Sequence, residues 1–221
     1  MKKDIILYGA GGAGRELAFN LAMSSAWEPI GFVDDTKKDS AIINGLPVLG
    51  GFDWLSGLCL QAIEAANVRV NVALCIVNDP IIKRSIVSKL KKTCPGITFP
   101  FIMNEQSISS KFNTWGEGCI VAQPWNYLTV NIEIGKFVWI NTRCDIGHDV
   151  KIGDYTTLFT RINVGGNVQI GNECVIGSGV TIKPGVRIGN NVTVGAGAVV
   201  VKDIPDNMVV VGNPARELKR G

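Results

Sequence analysis

Stepping by six from Leu128, the chain reads Leu128, Ile134, Ile140, Ile146, Ile152, Leu158, Val164, Ile170, Ile176, Ile182, Ile188, Val194 and Val200, an unbroken aliphatic series of thirteen. Chance does not hold one chemical type in register for so long. Glycine follows in eight of the thirteen cases (Gly135, Gly147, Gly153, Gly165, Gly171, Gly177, Gly189 and Gly195), and small or β-branched residues such as Val150, Cys174 and Val186 stand four places on. A hexapeptide repeat of this kind specifies a parallel β-helix, in which one aliphatic side chain per short strand points inward and stacks on its equivalent in the next coil. Three faces of six residues make a coil of about 18, so His148, Gly166 and Pro184 are expected above one another on one corner. The unbroken phase implies about four coils with no inserted loop. Glycine is expected at the corners because it reaches positive φ without steric cost. The two-residue alternation that an antiparallel sandwich requires is absent.

Residues before about 105 follow another pattern. Residues 4–8 make a short apolar strand, the run Gly9, Ala10, Gly11, Gly12, Ala13, Gly14 follows, and residues 15–23 carry helical spacing through Leu17, Ala18 and Leu21. Residues 30–33, 69–77 and 97–102 read as further strands, 80–92 as a helix with a basic end, and the polar stretch 103–118 as a junction. Alternating strands and helices imply a small parallel sheet. The expected organisation is therefore an α/β, Rossmann-like domain over residues 1–105, then a β-helix over 106–221, and a length of 221 residues suits two domains.

Composition narrows the partners. With 22 Lys and Arg against 19 Asp and Glu the net charge is +3, without the basic clustering of a nucleic-acid surface. The N-terminal apolar run, Ile5 to Tyr8, is too short for a signal peptide, and nothing approaches the apolar length of a membrane span. Six cysteines without a CxxC pair exclude the zinc-ribbon and thioredoxin signatures and suit a reducing, cytoplasmic setting.

Two constellations carry chemistry. Gly9-x-Gly11-x-x-Gly14 after a strand, with Asp34 and Asp35 about 20 residues on, matches the fingerprint in which phosphates approach backbone N–H groups at a helix N-terminus. Only about four strands precede the repeat, fewer than a full NAD domain uses. The fingerprint is therefore read as holding a nucleotide-bearing substrate, with NAD(P) binding and a purely structural turn as alternatives. The second constellation is His148, the one histidine, two places from each of the inward Ile146 and Val150 and so outward on a corner, with Asp149 beside it to orient Nδ1–H. Lys136, Thr142, Asp154, Asn172 and Asn190 occupy equivalent places, so one more solvated polar corner is the alternative. A single histidine cannot build a multi-histidine metal site, no GxSxG elbow is present, and general-base catalysis remains.

The closing segment GSGVTIKPGVRIGNNVTVGAGAVVVKDIPDNMVVVGNPA, residues 177–215, resembles the last coils of hexapeptide acyltransferases that use acetyl-coenzyme A. With GAGGAGRE and FVDD in front, residues 3–216 resemble the sialic acid O-acetyltransferase-like family, which includes bacterial N-acetyltransferases acting on UDP- or GDP-linked 4-amino sugars. The resemblance implies a left-handed β-helix, a homotrimer, a sugar nucleotide held by the N-terminal domain, acetyl-CoA as acyl donor without a metal, and a corner histidine followed by an acid as base. On this chain those roles fall to His148 and Asp149 for proton transfer. Gly9, Gly11, Gly12, Ala13 and Gly14, with Asp34 or Asp35, would hold the nucleotide, and Asn141 would lie near the sugar. Gly166, Ser178 and Ala196, with Asn213 and Pro214 of the closing segment, would lie along coenzyme A between subunits, and N–H groups near Gly165 and Gly166 would face the oxyanion.

Two positions depart from the family pattern. Gly147 stands where amino-sugar members often have glutamate, and Thr157 where they often carry a second histidine that contacts the thioester. Thr157, one place before the inward Leu158, is expected to face outward into the cleft that receives the thioester, leaving His148 the sole titrating base and room for water or a slightly larger acyl group, with a threonine that merely supports its β-rung as the alternative. The implied function is acetyl-CoA-dependent N-acetylation of a nucleotide-linked amino sugar in bacterial surface glycan biosynthesis. O-acetylation of a sialic-acid-like sugar and a non-catalytic sugar-nucleotide-binding scaffold are the alternatives.

Overall fold

The computed structural model describes residues 1–66 and 69–218, and the chain divides into two compact units between Pro100 and Phe101. In the first, β1 (Lys3–Tyr8), α1 (Gly12–Ala22), β2 (Trp27–Val33), β3 (Ile42–Ile43), β4 (Leu46–Gly50), α2 (Phe52–Ala66), β5 (Val70–Leu74), α3 (Pro80–Thr93) and β6 (Ile97–Thr98) follow in order. The sheet runs β3-β4-β2-β1-β5-β6, parallel except for the β3–β4 hairpin. Ile5, Ile6, Leu7 and Tyr8 are all buried, as a central parallel strand covered on both faces requires. Leu17, Ala18 and Leu21 turn the apolar side of α1 inward, and the Asp79 side chain caps α3 by accepting from the Ile82 N–H.

Because β1 has β2 on one side and β5 on the other, the chain reverses its direction of winding at the end of β1. Residues 9–14 therefore sit at a topological switch point, where open α/β sheets form their binding crevice. The sheet has six strands among the described residues rather than the four expected. The two extra ones form a hairpin around Asn44 and Gly45, both at positive φ (48° and 83°), and that Asn-Gly pair between apolar residues is a hairpin signal legible in the sequence. The expected strand over 97–102 is split. Pro100 cannot donate to a ladder, β6 stops at Thr98, and Ile102 already belongs to the second unit, so the division lies at 100/101 rather than near 105.

The second unit is a left-handed parallel β-helix of two-residue strands in three sheets. Inward residues of the first face are Met103, Val121, Ile140, Leu158, Ile176, Val194 and Val210. Those of the second are Ser109, Leu128, Ile146, Val164, Ile182 and Val200, and those of the third are Trp115, Ile134, Ile152, Ile170 and Ile188, with Ile204 bridged above. Most are at most 5% exposed and merge with Val150, Cys174, Val186 and their equivalents into one core. Six coils result, against about four from the sequence count.

The count fell short because one residue is inserted between Val121 and Leu128, shifting strand pairing from 18 residues (Ile102 with Ile120) to 19 (Ile120 with Trp139). Stretch 103–118 is thus the first coil and not a junction. Buried Asn126 absorbs the extra residue, accepting from Cys144 N–H at 2.8 Å and donating to Gln123 O and Ser107 Oγ. At the far end the spacing tightens to 16, as Val194 pairs with Val210.

The glycines that follow the inward residues are there for a different reason than expected. None of the eight has positive φ; that conformation falls two places later, on residues such as Phe137, Asp149, Tyr155 and Glu173 (φ 55–61°). A Cβ at Gly147 would lie 2.6 Å from Gly166 N, and one at Gly171 2.6 Å from Gly189 C, so these positions are glycine because successive coils meet backbone to backbone.

Candidate active site

His148 occupies the corner between the second and third faces, with Val130 in the coil below and Gly166 in the coil above. Its side chain is 58% exposed, and its Nδ1 lies 2.7 Å from Asp149 Oδ2. The hydrogen bond with His148, then one from Asn131, holds the Asp149 carboxyl below the usual carboxylate range against slight desolvation. An ionised carboxylate only accepts, so Nδ1 carries the shared proton and Nε2 is left bare in the neutral ring. The imidazole lies across Gly166: a Cβ there would be 2.5 Å from Nε2 and 2.7 Å from Cε1. Gly165 N–H is committed to Ile182 O at 2.9 Å, which removes it from the two expected oxyanion donors and leaves Gly166 N–H.

The polar corners that matched His148 by position behave otherwise. On the corner between the third and first faces, Asp154 accepts from Lys136 N–H, Asn172 from Asp154 N–H and Asn190 from Asn172 N–H at 2.7–2.9 Å, a ladder that binds coil to coil. Val130, Gly166 and Pro184 offer no such ladder to His148. Its side chain is exposed and paired instead with the carboxylate of its own neighbour, Asp149.

The remaining expected residues are only partly brought together. Asn141, Ser178 and Ala196 follow inward residues of the first face and lie on the corner between the first and second faces, separated from His148 by the outward row Tyr127, Asp145, Asn163, Thr181 and Val199. Asn141 is half-buried, its Oδ1 accepting from Thr142 N–H at 2.9 Å, whereas Ser178 and Ala196 are exposed. Asn213 and Pro214 are exposed near the top of that row, where Val199 N–H donates to Gly212 O and Ala215 N–H to Val199 O.

Thr157 is a correction. It is fully buried, in an outward column that reads Ile102, Ile120, Trp139, Thr157, the first three at most 3% exposed. Above it the column continues to half-buried Val175 and exposed Thr193, so the burial is confined to the lower coils, and Thr157 itself meets no open thioester cleft in this chain. A groove of about 750 Å³ runs along the third face past Glu133, Lys151, Gln169 and Arg187 but does not include His148 or Gly166. The candidate site follows the side-chain chemistry rather than that concavity.

In the first unit, Gly9 turns at φ 108°, and a Cβ on Gly14 would overlap the Gly9 carbonyl, so the helix can press onto the turn only with glycine there. Gly11 and Gly12 border open space, and α1 begins at Gly12 with no side-chain cap and no acidic residue in its first turn. Its N-terminal N–H groups therefore face outward with the positive end of the helix dipole behind them. Both acids have work inside the domain. Asp34 accepts from Ala10 N–H at 2.8 Å and from the Thr36 N–H and hydroxyl; burial opposes its ionisation, but these bonds prevail and hold its carboxyl low. Asp35 accepts from Tyr8 Oη–H at 2.8 Å and from Phe52 N–H, at the start of α2, at 2.7 Å. Burial first, then Asp35, pushes the Tyr8 phenol well above its ordinary value. All six cysteines are buried, and burial pushes Cys144 up to about 12, which leaves no reactive thiolate there. Among the described residues, no three His, Cys, Asp or Glu side chains gather as metal ligands, and no helix is long and apolar enough to cross a membrane.

Fold and corner together define a hexapeptide-repeat transferase preceded by a nucleotide-fingerprint domain. Residues 4–90 match the family model described as the PglD N-terminal domain, and residues 167–202 match the bacterial transferase hexapeptide model of six repeats. Across 98% of this chain and all of theirs, it is similar to WeeI from Acinetobacter baumannii AYE (31% identity, TM-score 0.74) and to the acetyltransferase domain of PglB from Neisseria gonorrhoeae FA1090 (26%, 0.83). Perosamine N-acetyltransferase from Caulobacter crescentus, solved with CoA and GDP-perosamine, shares the fold at 24% identity and TM-score 0.88, over 99% of this chain and 98% of that one. No curated protein sequence matches the chain. The chain belongs to the hexapeptide-repeat acetyltransferases that carry a PglD-type N-terminal domain.

Proposed function

We infer that the protein transfers the acetyl group of acetyl-CoA to the amine of a UDP- or GDP-linked 4-amino sugar, as a cytoplasmic homotrimer serving bacterial surface glycan biosynthesis. The observation that carries this reading is the bare Nε2 of His148, turned outward on its corner with Asp149 behind Nδ1. Solved structures that share the fold include one with CoA and GDP-perosamine and one, the PglB domain, with acetyl-CoA, which supports the choice of donor and of acceptor class.

The acceptor nitrogen attacks the thioester carbonyl while Nε2 removes its proton, and Asp149 stabilises the imidazolium that forms. Gly166 N–H donates to the developing oxyanion. Collapse breaks the C–S bond, and the imidazolium returns its proton to the thiolate, giving free CoA and the N-acetylated sugar. The nucleotide's phosphates lie against the outward N–H groups of residues 11–14, with Asp34 or Asp35 reaching the ribose or base through lone pairs their internal bonds leave open. Binding energy remote from the amine then positions it for attack. Asn141 faces the sugar, while Ser178, Ala196, Asn213 and Pro214 mark the corner along which a subunit presents CoA to its neighbour's histidine. Thr157, being buried, has no part in donor binding.

The test is release of free CoA from acetyl-CoA with panels of UDP-4-amino sugars, GDP-4-amino sugars and sialic acids. Release with an amino-sugar nucleotide is expected. Release only with sialic acids would move the reading to O-acetylation, and no release with any acceptor would favour a non-catalytic sugar-nucleotide-binding scaffold.

A further inference from the structure

The imidazole is held by more than its sequence neighbour. One coil below, Asn131 Nδ2 donates to Asp149 Oδ1 at 3.1 Å, while Asp149 Oδ2 meets His148 Nδ1 at 2.7 Å. Asp149 is 46% exposed on its side chain, and an aspartate so placed keeps the freedom to rotate away from an adjacent residue unless its second oxygen is tethered. Asn131 supplies that tether. It stands 18 residues earlier at the same left-handed corner position (φ 58° against 57°), so stacking brings its amide under the one carboxylate oxygen that His148 does not use.

The structure assigns Asn131 as a positioning residue of the acetyl-transfer site: by holding Asp149 Oδ1 it aims Oδ2 at Nδ1 and keeps the imidazole in the tautomer whose Nε2 is bare. The assignment rests on the acetylation reading for its consequence in turnover, but not for its effect on the ring.

The same bond elsewhere in the fold serves as an internal reference. Asn191 Nδ2 donates to Asn207 Oδ1 at 2.9 Å, also from positive φ (53°), on a corner that carries no histidine. An Asn-to-Asx bond between coils is thus a general device of this helix, and what sets Asn131 apart is its acceptor. Around His148 the coil above presents Gly165, Gly166 and Asn167, the coil below Val130 and Asn131, and its own coil Asp149, with Asp145 and Lys151 three residues to either side. Asp149 is the titratable group bonded to the ring.

Asn131→Gly removes the amide while keeping the left-handed backbone accessible, which separates the hydrogen bond from corner strain. Asn131→Asp keeps the size but replaces the donor by a second carboxylate, and Asn191→Gly is the control. Because the chain has one histidine, its imidazole resonances in NMR report the tautomer without substrate and without assignment. In Asn131→Gly the neutral ring is expected to become a mixture of tautomers, since a poorly aimed carboxylate no longer holds the proton on Nδ1. Turnover should drop by about 3- to 10-fold with KM within about twofold, and the drop should vanish in an Asp149→Ala background. Asn131→Asp should lose turnover with the same mixing of tautomers, and Asn191→Gly should change neither.

A parental tautomer in Asn131→Gly would overturn the assignment, as would a loss of turnover that adds in full to that of Asp149→Ala. Should the ring respond as stated in a protein that transfers no acetyl group to any acceptor, the positioning stands and the acetylation reading is the part that falls.

Discussion

The Nε2 atom of His148 lies directly over Gly166, one coil above, where the space a Cβ would occupy is only 2.5 Å from that nitrogen. The candidate base and the backbone of Gly166, whose N–H is proposed to meet the oxyanion, are therefore joined by packing: whatever moves the ring moves it relative to that residue. Gly166→Ala should leave the prism folded, because residue 166 lies outside the core, and should push the imidazole aside. Misplacement by about 1 Å costs on the order of 100-fold in turnover. Steady-state kinetics beside a thermal melt check this, and full activity in the folded variant would show that the ring's seat on Gly166 is irrelevant to catalysis.

His148→Ala should lower turnover by roughly 100-fold or more with the assembly intact by light scattering. The pH profile adds a second check. A depressed carboxyl such as Asp149 contributes its interaction above the ordinary carboxylate pKa, near about 3.9, and loses it only as pH falls through its lower folded value. Asp149 is therefore ionised throughout the neutral range. A single ionisation should shape the acid limb of kcat/KM, and it should disappear from the residual rate of His148→Ala. Two ionisations on that limb, neither traceable to substrate, would require another base.

Asp35→Ala should destabilise the N-terminal domain, since it removes both the acceptor for Phe52 N–H at the head of α2 and the partner of the buried Tyr8 hydroxyl. Loss of a helix cap costs about 1 kcal/mol, and the stranded phenol adds to it. Urea unfolding followed by helical circular dichroism measures the change. An unaltered midpoint would free Asp35 for a purely ligand-binding role.

Installing the histidine that family members often carry, Thr157→His, should not create a second titrating group in the site. The threonine is fully buried beside Trp139, and a larger polar ring there overpacks the face at a cost of about 1–3 kcal/mol. Melting temperature should fall while acetyl- against propionyl-CoA preference stays put. An altered acyl preference at unchanged stability would place Thr157 against the donor after all.

Much of this was legible along the chain because a hexapeptide repeat is a local code. Each inward aliphatic residue needs only its own six-residue frame to be recognised, and the corner position of His148 follows by counting from Ile146 to Val150. The glycine fingerprint is local too, since Gly9 and Gly14 touch within one turn of chain. Asn131 was within reach of the same arithmetic, lying one coil before Asp149, and Asn44-Gly45 announced the hairpin that was passed over.

Other features belong to stacking and could not be read from spacing. One inserted residue before Leu128 hid the first coil, because a six-residue count loses phase where a corner bulges, whereas the ladder simply pairs at 19 instead of 18. Thr157 and Tyr127 both stand one place before an inward residue, yet one is buried and the other half-exposed, a difference that the six-residue frame does not contain. Even the glycines after the inward residues owe their identity to the backbone of the next coil. Periodicity determined which side of each strand faces the core, a matter of backbone geometry within a few residues. The tertiary structure decided what each outward side chain meets, because the distances that govern hydrogen bonding and burial there are set between coils and not along them.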